Sequence, residues 1–391
     1  MHSYGVAAQR GFSAVEIMVG LAMGMFAVAA ILQSLSMFEG PRRALTAGSD
    51  MQASGALALF SVEREIRMAG HGLALPAALG CRLNSAYQGA APAAPSPLAG
   101  PPALQPLRIV KGAGGLPDTV QVLYGERYGV PYRIVTDHPP QAANFFLNTV
   151  LGITPGDMMI AFEPGKDCTL LQVTDVPGNG GQTGSVQIHH ASGKSPWNPP
   201  GGQNIFPPGG YTTGGMLFNL GSLAIHTYSI GAGNTLELAR FSAADNASQR
   251  QQLFGNVVSL KAQYGFDTRA VSADAQVDTW SDVMMDADGN GVTGDSGDIA
   301  RLYAARIALV ARNAQAERPG AGGACDHYTR TPAALRRPTW TAADPRTGAL
   351  AELAIDVSRN PDGSANTAWQ CYRYAVFQTI VPMRNLVWSK P

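Results

Sequence analysis

The apolar and polar positions divide the chain into one long apolar run and a longer, finely alternating remainder. From Phe12 to Phe38 the only charged residue is Glu16. At about 1.5 Å per helical residue this run spans about 40 Å, and about 20 residues suffice to cross a bilayer core, so it predicts a membrane-competent helix. Residues 41–70 keep the helical period but change character. Gly55, Leu59, Val62, Ile66 and Ala69 fall at i, i+4, i+7, i+11 and i+14 as one apolar stripe, with Glu63, Arg64, Glu65 and Arg67 beside it. Glu63 and Arg67 have the i,i+4 spacing of an ion pair. This half is expected to lie on a globular domain rather than in lipid. Gly40-Pro41 is expected to kink the junction, because proline removes a helical hydrogen bond. Gly70 and Gly72 read as the helix stop.

Beyond the helix the period shortens to that of strands. Residues 86–106 are Ala/Pro-rich and read as a loop with polyproline character. Strands are expected at Leu107–Val110, Thr119–Tyr124, Tyr132–Thr136, Met158–Glu163, Leu170–Val173 and Val186–His189, often bounded by Gly, Pro or Asp. Residues 192–215 form a second Gly/Pro-rich loop. Leu223–Ile230 and Leu236–Phe241 read as a hairpin around Gly231-Ala-Gly-Asn234. Val257–Phe266, Arg301–Arg312 and Tyr372–Val381 follow, the second apolar enough for a central strand. Gln251–Leu260 has helix-like ends and is expected to carry a short turn before its strand. There is no internal repeat. One long helix followed by mostly antiparallel sheet is an α+β plan.

Composition adds limits. The chain has 391 residues, formal net charge zero and 14% charged residues. No global basic surplus of the kind that drives nonspecific nucleic-acid binding is present. Gly and Pro together make about 18% of the chain, above the average but below the disordered range, which suggests short strands and long loops. The cysteines are Cys81, Cys168, Cys325 and Cys371. An even count in an exported chain suggests disulfides, and no C-x-x-C pair suggests zinc. Of three connectivities, Cys81–Cys168 with Cys325–Cys371 is favoured, since each pair brackets one part of the chain. Free buried thiols are the alternative.

Two clusters invite a metal reading. Asp286, Asp288 and Asn290 followed by Gly291 match positions 1, 3, 5 and 6 of a calcium loop. Position 12 is Gly297 rather than Glu, so Asp295 or Asp298 would have to substitute, and strand-like segments rather than helices flank the loop. A plain Asx/Gly hairpin tip is the competing account. His189-His190 are adjacent on a strand and point to opposite faces, so one is expected to face solvent and no metal site is expected. Tyr372, Tyr374 and Phe377 with Arg373 could stack bases, but alternating strand burial accounts for them better. No P-loop, Gly-x-Ser-x-Gly or His-Glu-x-x-His motif is present, no GxGxxG follows a strand, and the chain is not expected to be an enzyme.

The start of the chain carries the strongest functional signal. A short polar leader ends in Arg10-Gly11, and the apolar run begins at once with Phe12-Ser13-Ala14-Val15-Glu16. A secretory signal is cut after its apolar stretch; here the cut is expected before it, between Gly11 and Phe12, so the helix stays on the mature chain. A carboxylate in a membrane helix costs a few kcal/mol and usually has a partner. Cleavage would create a new α-amino group on Phe12, and that cation on a neighbouring subunit would suit Glu16. A signal anchor with a tolerated acid near its end is the plainer alternative.

Gly11 to Glu16 resembles the prepilin-type signal of type IV pilins and type II secretion pseudopilins. The resemblance implies that prepilin peptidase cuts after Gly11, that Phe12 becomes N-methylated, and that Glu16 serves subunit docking. Ala14, where Leu is more usual, and the lack of Pro between Phe12 and Gly40 depart from the pattern. Ser61 to Gly72, followed by Gly80-Cys81, is similar to the end of the long helix in the PilW family of minor pilins. That resemblance implies a pilin-like α+β fold: leader 1–11, membrane or filament-core half-helix 12–40, amphipathic half-helix 41–72 and a periplasmic β-rich domain 73–391. It implies a minor pilin at or near the tip of a type IV pilus, in the inner membrane and then outside a Gram-negative cell. The expected role is priming assembly and supporting twitching, adhesion or DNA uptake. The implied partners are other minor pilins and the major pilin, prepilin peptidase, the inner-membrane assembly platform, a tip adhesin, and membrane lipid before assembly. No nucleic acid is specified, and calcium is the one cofactor raised. A minor pseudopilin of a type II secretion system, of the GspJ kind, shares the leader and helix. A membrane-anchored binding module presenting its Gly/Pro-rich loops is the third reading.

Overall fold

The computed structural model describes residues 11, 13–73, 76–100, 102–127, 130–177, 186–200, 205–269, 276–317, 319, 325, 331–332 and 336–387, with backbone alone over 36–47. A single helix, α1 (Ala14–Met68), opens the chain, and its helical assignment is unbroken through Gly40-Pro41. The chain divides into two compact units, Met1–Asp50 and Met51–Pro391. The first unit is helical from Ala14 onward. Ala14–Leu35 has a mean hydropathy of 2.3 and none of it is buried.

The second unit begins with the last turns of α1. Its early strands are β1 (Leu83–Asn84), β2 (Leu107–Val110), β3 (Thr119–Gly125), β4 (Pro131–Arg133), β5 (Asn144–Phe146), β6 (Met158–Phe162) and β7 (Cys168–Gln172). Then come β8 (Gln187–His189), β9 (Met216–Gly221), β10 (Leu223–Gly231), β11 (Thr235–Ser242), β12 (Ala247–Gly255) and β13 (Val257–Phe266). The last are β14 (Thr279–Ser281), β15 (Leu302–Arg312), β16 (Thr339–Ala343), β17 (Leu350–Ala354) and β18 (Tyr374–Pro382), with short helices α2 (Ser296–Ala300) and α3 (Arg384–Val387). Three sheets result, ordered β1-β7-β6-β9-β4, β12-β11-β10-β3-β2 and β14-β13-β15-β18, with two small ribbons, β16-β17 and β5-β8. Every described pairing is antiparallel except β1 with β7. The architecture is therefore α+β.

The apolar stripe of α1 forms elements because it has sheets to bury against. Ala58, Val62, Ile66 and Ala69 share one core with strands of the second and third sheets, among them Val122, Ile225, Tyr228, Leu260 and Leu309. Burying a Val or Ile side chain is worth about 1.5–3 kcal/mol, so these positions fix this segment of helix on the domain. Gly55 completes the contact. A Cβ there would lie 2.1 Å from the Phe377 ring of β18, so the helix needs a bare backbone to approach the sheet. The helix ends where Gly70 takes φ 77°, and Asn385 of α3 donates its side-chain N–H to the freed carbonyls of Arg67 and Ala69.

Two further cores lie away from the helix. One, beneath the first sheet and the β5-β8 ribbon, contains Ile134, Phe145, Met159, Leu171, Ile188, Phe206 and Tyr211. The other lies under β16-β17, around Val258, Val310, Trp340 and Ile355.

Several expectations are corrected. Gln251–Leu260 carries no helical turn: its residues belong to β12 and β13, which meet at Asn256 in the left-handed region. The third expected strand is shorter, ending at Arg133, because Ile134 pairs only as an isolated bridge with Leu147. β12 escaped the pattern because most of its side chains are exposed on both faces, leaving no apolar alternation to read. β9 escaped for the opposite reason: five of its six residues are buried, so it reads as a plain apolar run.

Candidate functional site

At the start of α1, Ser13 and Glu16 cap the helix reciprocally. The Glu16 N–H donates to Ser13 Oγ at 3.2 Å, and the Ser13 N–H donates to Glu16 Oε2 at 2.9 Å. This is the capping-box arrangement, which satisfies two helix N–H groups that otherwise lack partners. The Ser13-x-x-Glu16 spacing is the sequence signature of this cap. The carboxylate thus has a hydrogen-bond partner in its own chain. Gly11 is exposed, a Cβ added to it would meet none of the described residues within 4 Å, and Phe12 lies outside the described residues. The expected cleavage point is therefore described on its Gly11 side alone.

At the other end of α1, Glu65 points inward. It is 8% exposed, and its Oε2 lies 2.9 Å from His226 Nδ1 on β10. Tyr124 OH lies 3.3 Å from the same nitrogen, and Tyr228 OH lies 3.4 Å from Ser61 Oγ. Burial alone would raise the Glu65 carboxyl, but the hydrogen bond and charge of His226 outweigh it and hold it below the usual carboxylate value. The same burial pushes the Tyr124 phenol up to about 12. Glu63 and Arg67 form the i,i+4 ion pair on the outer side.

The Asp-rich loop is folded into the domain and is not a hairpin tip, since β14 and β15 on either side of it both pair with β13; its last residues form the short helix α2. Gly80 sits at φ 82°, and a Cβ there would lie 2.6 Å from the Asp295 backbone, so the segment leading into Cys81 packs directly on this loop. Asp286 Oδ1 accepts from the N–H groups of Gly289 and Asn290, and Oδ2 from Gly291, so the chain wraps around that carboxylate. Asp295 caps α2 and accepts from the Asn290 amide at 2.6 Å. Asp298 is fully buried; it accepts from Ala287, Asp288 and Gly294. Carboxylate oxygens of Asp286, Asp288 and Asp298 lie within 4.8 Å of one another. A Cβ at Gly297 would lie 1.9 Å from Asp288 Oδ2, so a side chain there would displace the Asp288 carboxylate. The carboxylate missing at that position enters from Asp298, one residue on. Three acids, all oxygen donors, suit a hard cation such as calcium; the backbone N–H groups on Asp298 also close the loop without one.

The remaining sequence candidates fall as follows. Cys81 is bonded to Cys168 and Cys325 to Cys371, with Cα separations of 5.8 and 5.2 Å. The first bond ties the segment after α1 to the first sheet, and the second ties Cys325 to the turn before β18. His189 and His190 do part: His189 faces Asp175 at the surface, while His190 is 4% exposed. The aromatic group near the C-terminus is engaged internally. Arg312 stacks on Tyr372 at 4.1 Å, Arg373 pairs with Glu317, Tyr374 OH donates to Trp369 O, and Phe377 covers Gly55. It does not form a free stacking platform.

Fold and site together define a class: an α+β protein with one apolar, membrane-competent N-terminal helix whose last turns are built into a disulfide-bonded β domain. Residues 227–385 match the PilW family, described as type IV pilus-assembly protein W. The match spans β10 to α3, so it rests on residues quite separate from the N-terminal signal and the Gly80-Cys81 element that suggested the same family. No curated protein and no solved structure matches the chain. The match supports a role in type IV pilus assembly, and the apolar helix fits a membrane-anchored location.

Proposed function

We propose that this chain is a minor pilin, a structural subunit that helps start type IV pilus assembly and is built in at or near the tip. The observation that carries the reading is the coincidence of two independent parts: a fully exposed apolar helix with Glu16 in its first turn, and a PilW match over residues 227–385. The helix stores the subunit in the inner membrane with the β domain in the periplasm. Prepilin peptidase removes residues 1–11, and the new amine of Phe12 is methylated. Glu16 then exchanges its partner in the capping box for the amine of a neighbouring subunit, an ion pair that gains strength where water is excluded. The work done is polymer insertion, with no catalytic step, and the partners are the other minor pilins, the major pilin and the assembly platform. Twitching, adhesion or DNA uptake would follow from the finished fibre. The loop of Asp286, Asp288, Asn290, Asp295 and Asp298 is proposed to hold calcium and so to brace the segment from α1 to Cys81.

Glu16→Ala tests the docking role. The variant should be cleaved and inserted normally, yet be missing from sheared pili. Normal incorporation of the variant would remove Glu16 from the mechanism.

A further inference from the structure

The core beneath the first sheet holds two imidazoles that no part of the assembly mechanism uses. His138 is 1% exposed and His190 is 4% exposed, and their Nε2 atoms lie 2.9 Å apart. One ring must donate and the other accept, so the contact requires at least one unprotonated nitrogen facing its partner. Phe145 stacks on His138 with ring centroids 3.7 Å apart, and Phe206 closes the cage at 4.8 Å from His138 and 5.4 Å from His190. A cavity of about 100 Å³ is lined by His190 together with Phe206, Ser192 and Asn198.

The pair joins three chain segments. His138 is backbone-paired with Tyr211, whose OH bonds to Asp167 O and Thr169 Oγ1. His190 donates its backbone N–H to Ala143, just before β5. Gly210 permits this closeness, since a Cβ there would lie 2.0 Å from the His138 carbonyl oxygen.

The ionisable groups around the cage are turned elsewhere. Asp137 accepts from Thr213, Glu163 from Thr212 and Lys166, and Lys166 also donates to Gly210 O. Asp175 faces His189, and Asp167 accepts from Asn84. Among the described residues no carboxylate bonds to either imidazole.

We infer that His138 and His190 form an acid-sensitive latch, which holds the segments around β5, β8 and Tyr211 together while both rings are neutral and releases them on protonation. One added proton buries a charge against Phe145 and Phe206. A second sets two N–H groups against each other at hydrogen-bond distance, with no acceptor between them. Burial accordingly pushes His138 down to about 4. It pushes His190 down to about 3, the nearby charge of His138 adding to the effect. Both folded values lie below the unfolded 6.5. The latch therefore contributes its full stability above pH 6.5 and loses it as pH falls through about 4.

Hydrogen exchange of the full chain in detergent micelles, corrected for the intrinsic pH dependence of exchange, tests this. Between pH 6.5 and 4, peptides covering 138–147, 187–191 and 205–211 should lose more than about tenfold in protection, since each pH unit below the unfolded value weighs tenfold against the neutral pair. Peptides of β13 and β15 should change far less. His138→Gln with His190→Gln should flatten the profile of the three segments. Should that variant fail to fold, imidazole NMR signals of the unaltered protein serve instead, with both rings expected to titrate well below 6.5. Flat protection in the unaltered protein, or either ring titrating near 6.5, would overturn the latch.

Discussion

Two acids of α1 sit in opposite settings. Glu16 is exposed on an apolar helix and is held by Ser13; Glu65 is buried and held by His226. The first is available to an incoming partner, whereas the second is committed to the fold. Glu65→Gln should destabilise the domain by about 1.5–3 kcal/mol at pH 7, the range for a hydrogen bond to a charged group. The Glu65 carboxyl lies lower in the folded than in the unfolded chain, so its contribution is complete above pH 4.5 and is lost as pH falls through the folded value. Urea melts at pH 7 and at pH 4 should show the variant's deficit shrinking at the lower pH. An equal deficit at both would mean that the carboxylate charge contributes nothing. The alternation that placed Val62 and Ile66 in the core could not place Glu65, because a carboxylate reads as surface until a histidine from β10, far along the chain, is folded against it.

At the scale of elements, the Asp-rich loop shows how far local spacing carries. Asp286-x-Asp288-x-Asn290-Gly291 was legible as the start of a calcium loop or an Asx/Gly tip, and the structure wraps the segment around the Asp286 carboxylate. Asp295 and Asp298 were both legible as substitutes at position 12, but not the choice of Asp298, which depends on α2 turning that side chain inward. If the loop holds calcium, the metal should raise the melting temperature of the protein, and calorimetry should show binding that Asp298→Asn weakens at least about tenfold. No heat at millimolar calcium, with an unchanged melting temperature, would leave the loop as a hydrogen-bonded brace. Other elements divide along similar lines. The β10-β11 hairpin was readable because Gly231 and Asn234 mark its turn, where Asn234 takes φ 55°. The β5-β8 ribbon joins segments far apart in the chain, and only its β8 strand was expected; β16-β17 is a short local hairpin that no expected strand covered.

For the whole molecule, the α+β plan was legible from the order of periods, helical first and strand-like after. The partition into three sheets was not, since it depends on which strands meet across long Gly/Pro-rich loops. The functional reading has the same two-part character: a signal of six residues at one end, and a family match over residues 227–385 at the other. The match points to pilus assembly, and the proposed prepilin-type signal requires a defined chemical start to the mature chain. Mass spectrometry of this subunit, recovered from membranes and from sheared pili, tests that most directly. The account predicts a chain beginning at N-methylated Phe12 in both fractions. A chain that retains residues 1–11, or one cut after the apolar helix, would contradict it.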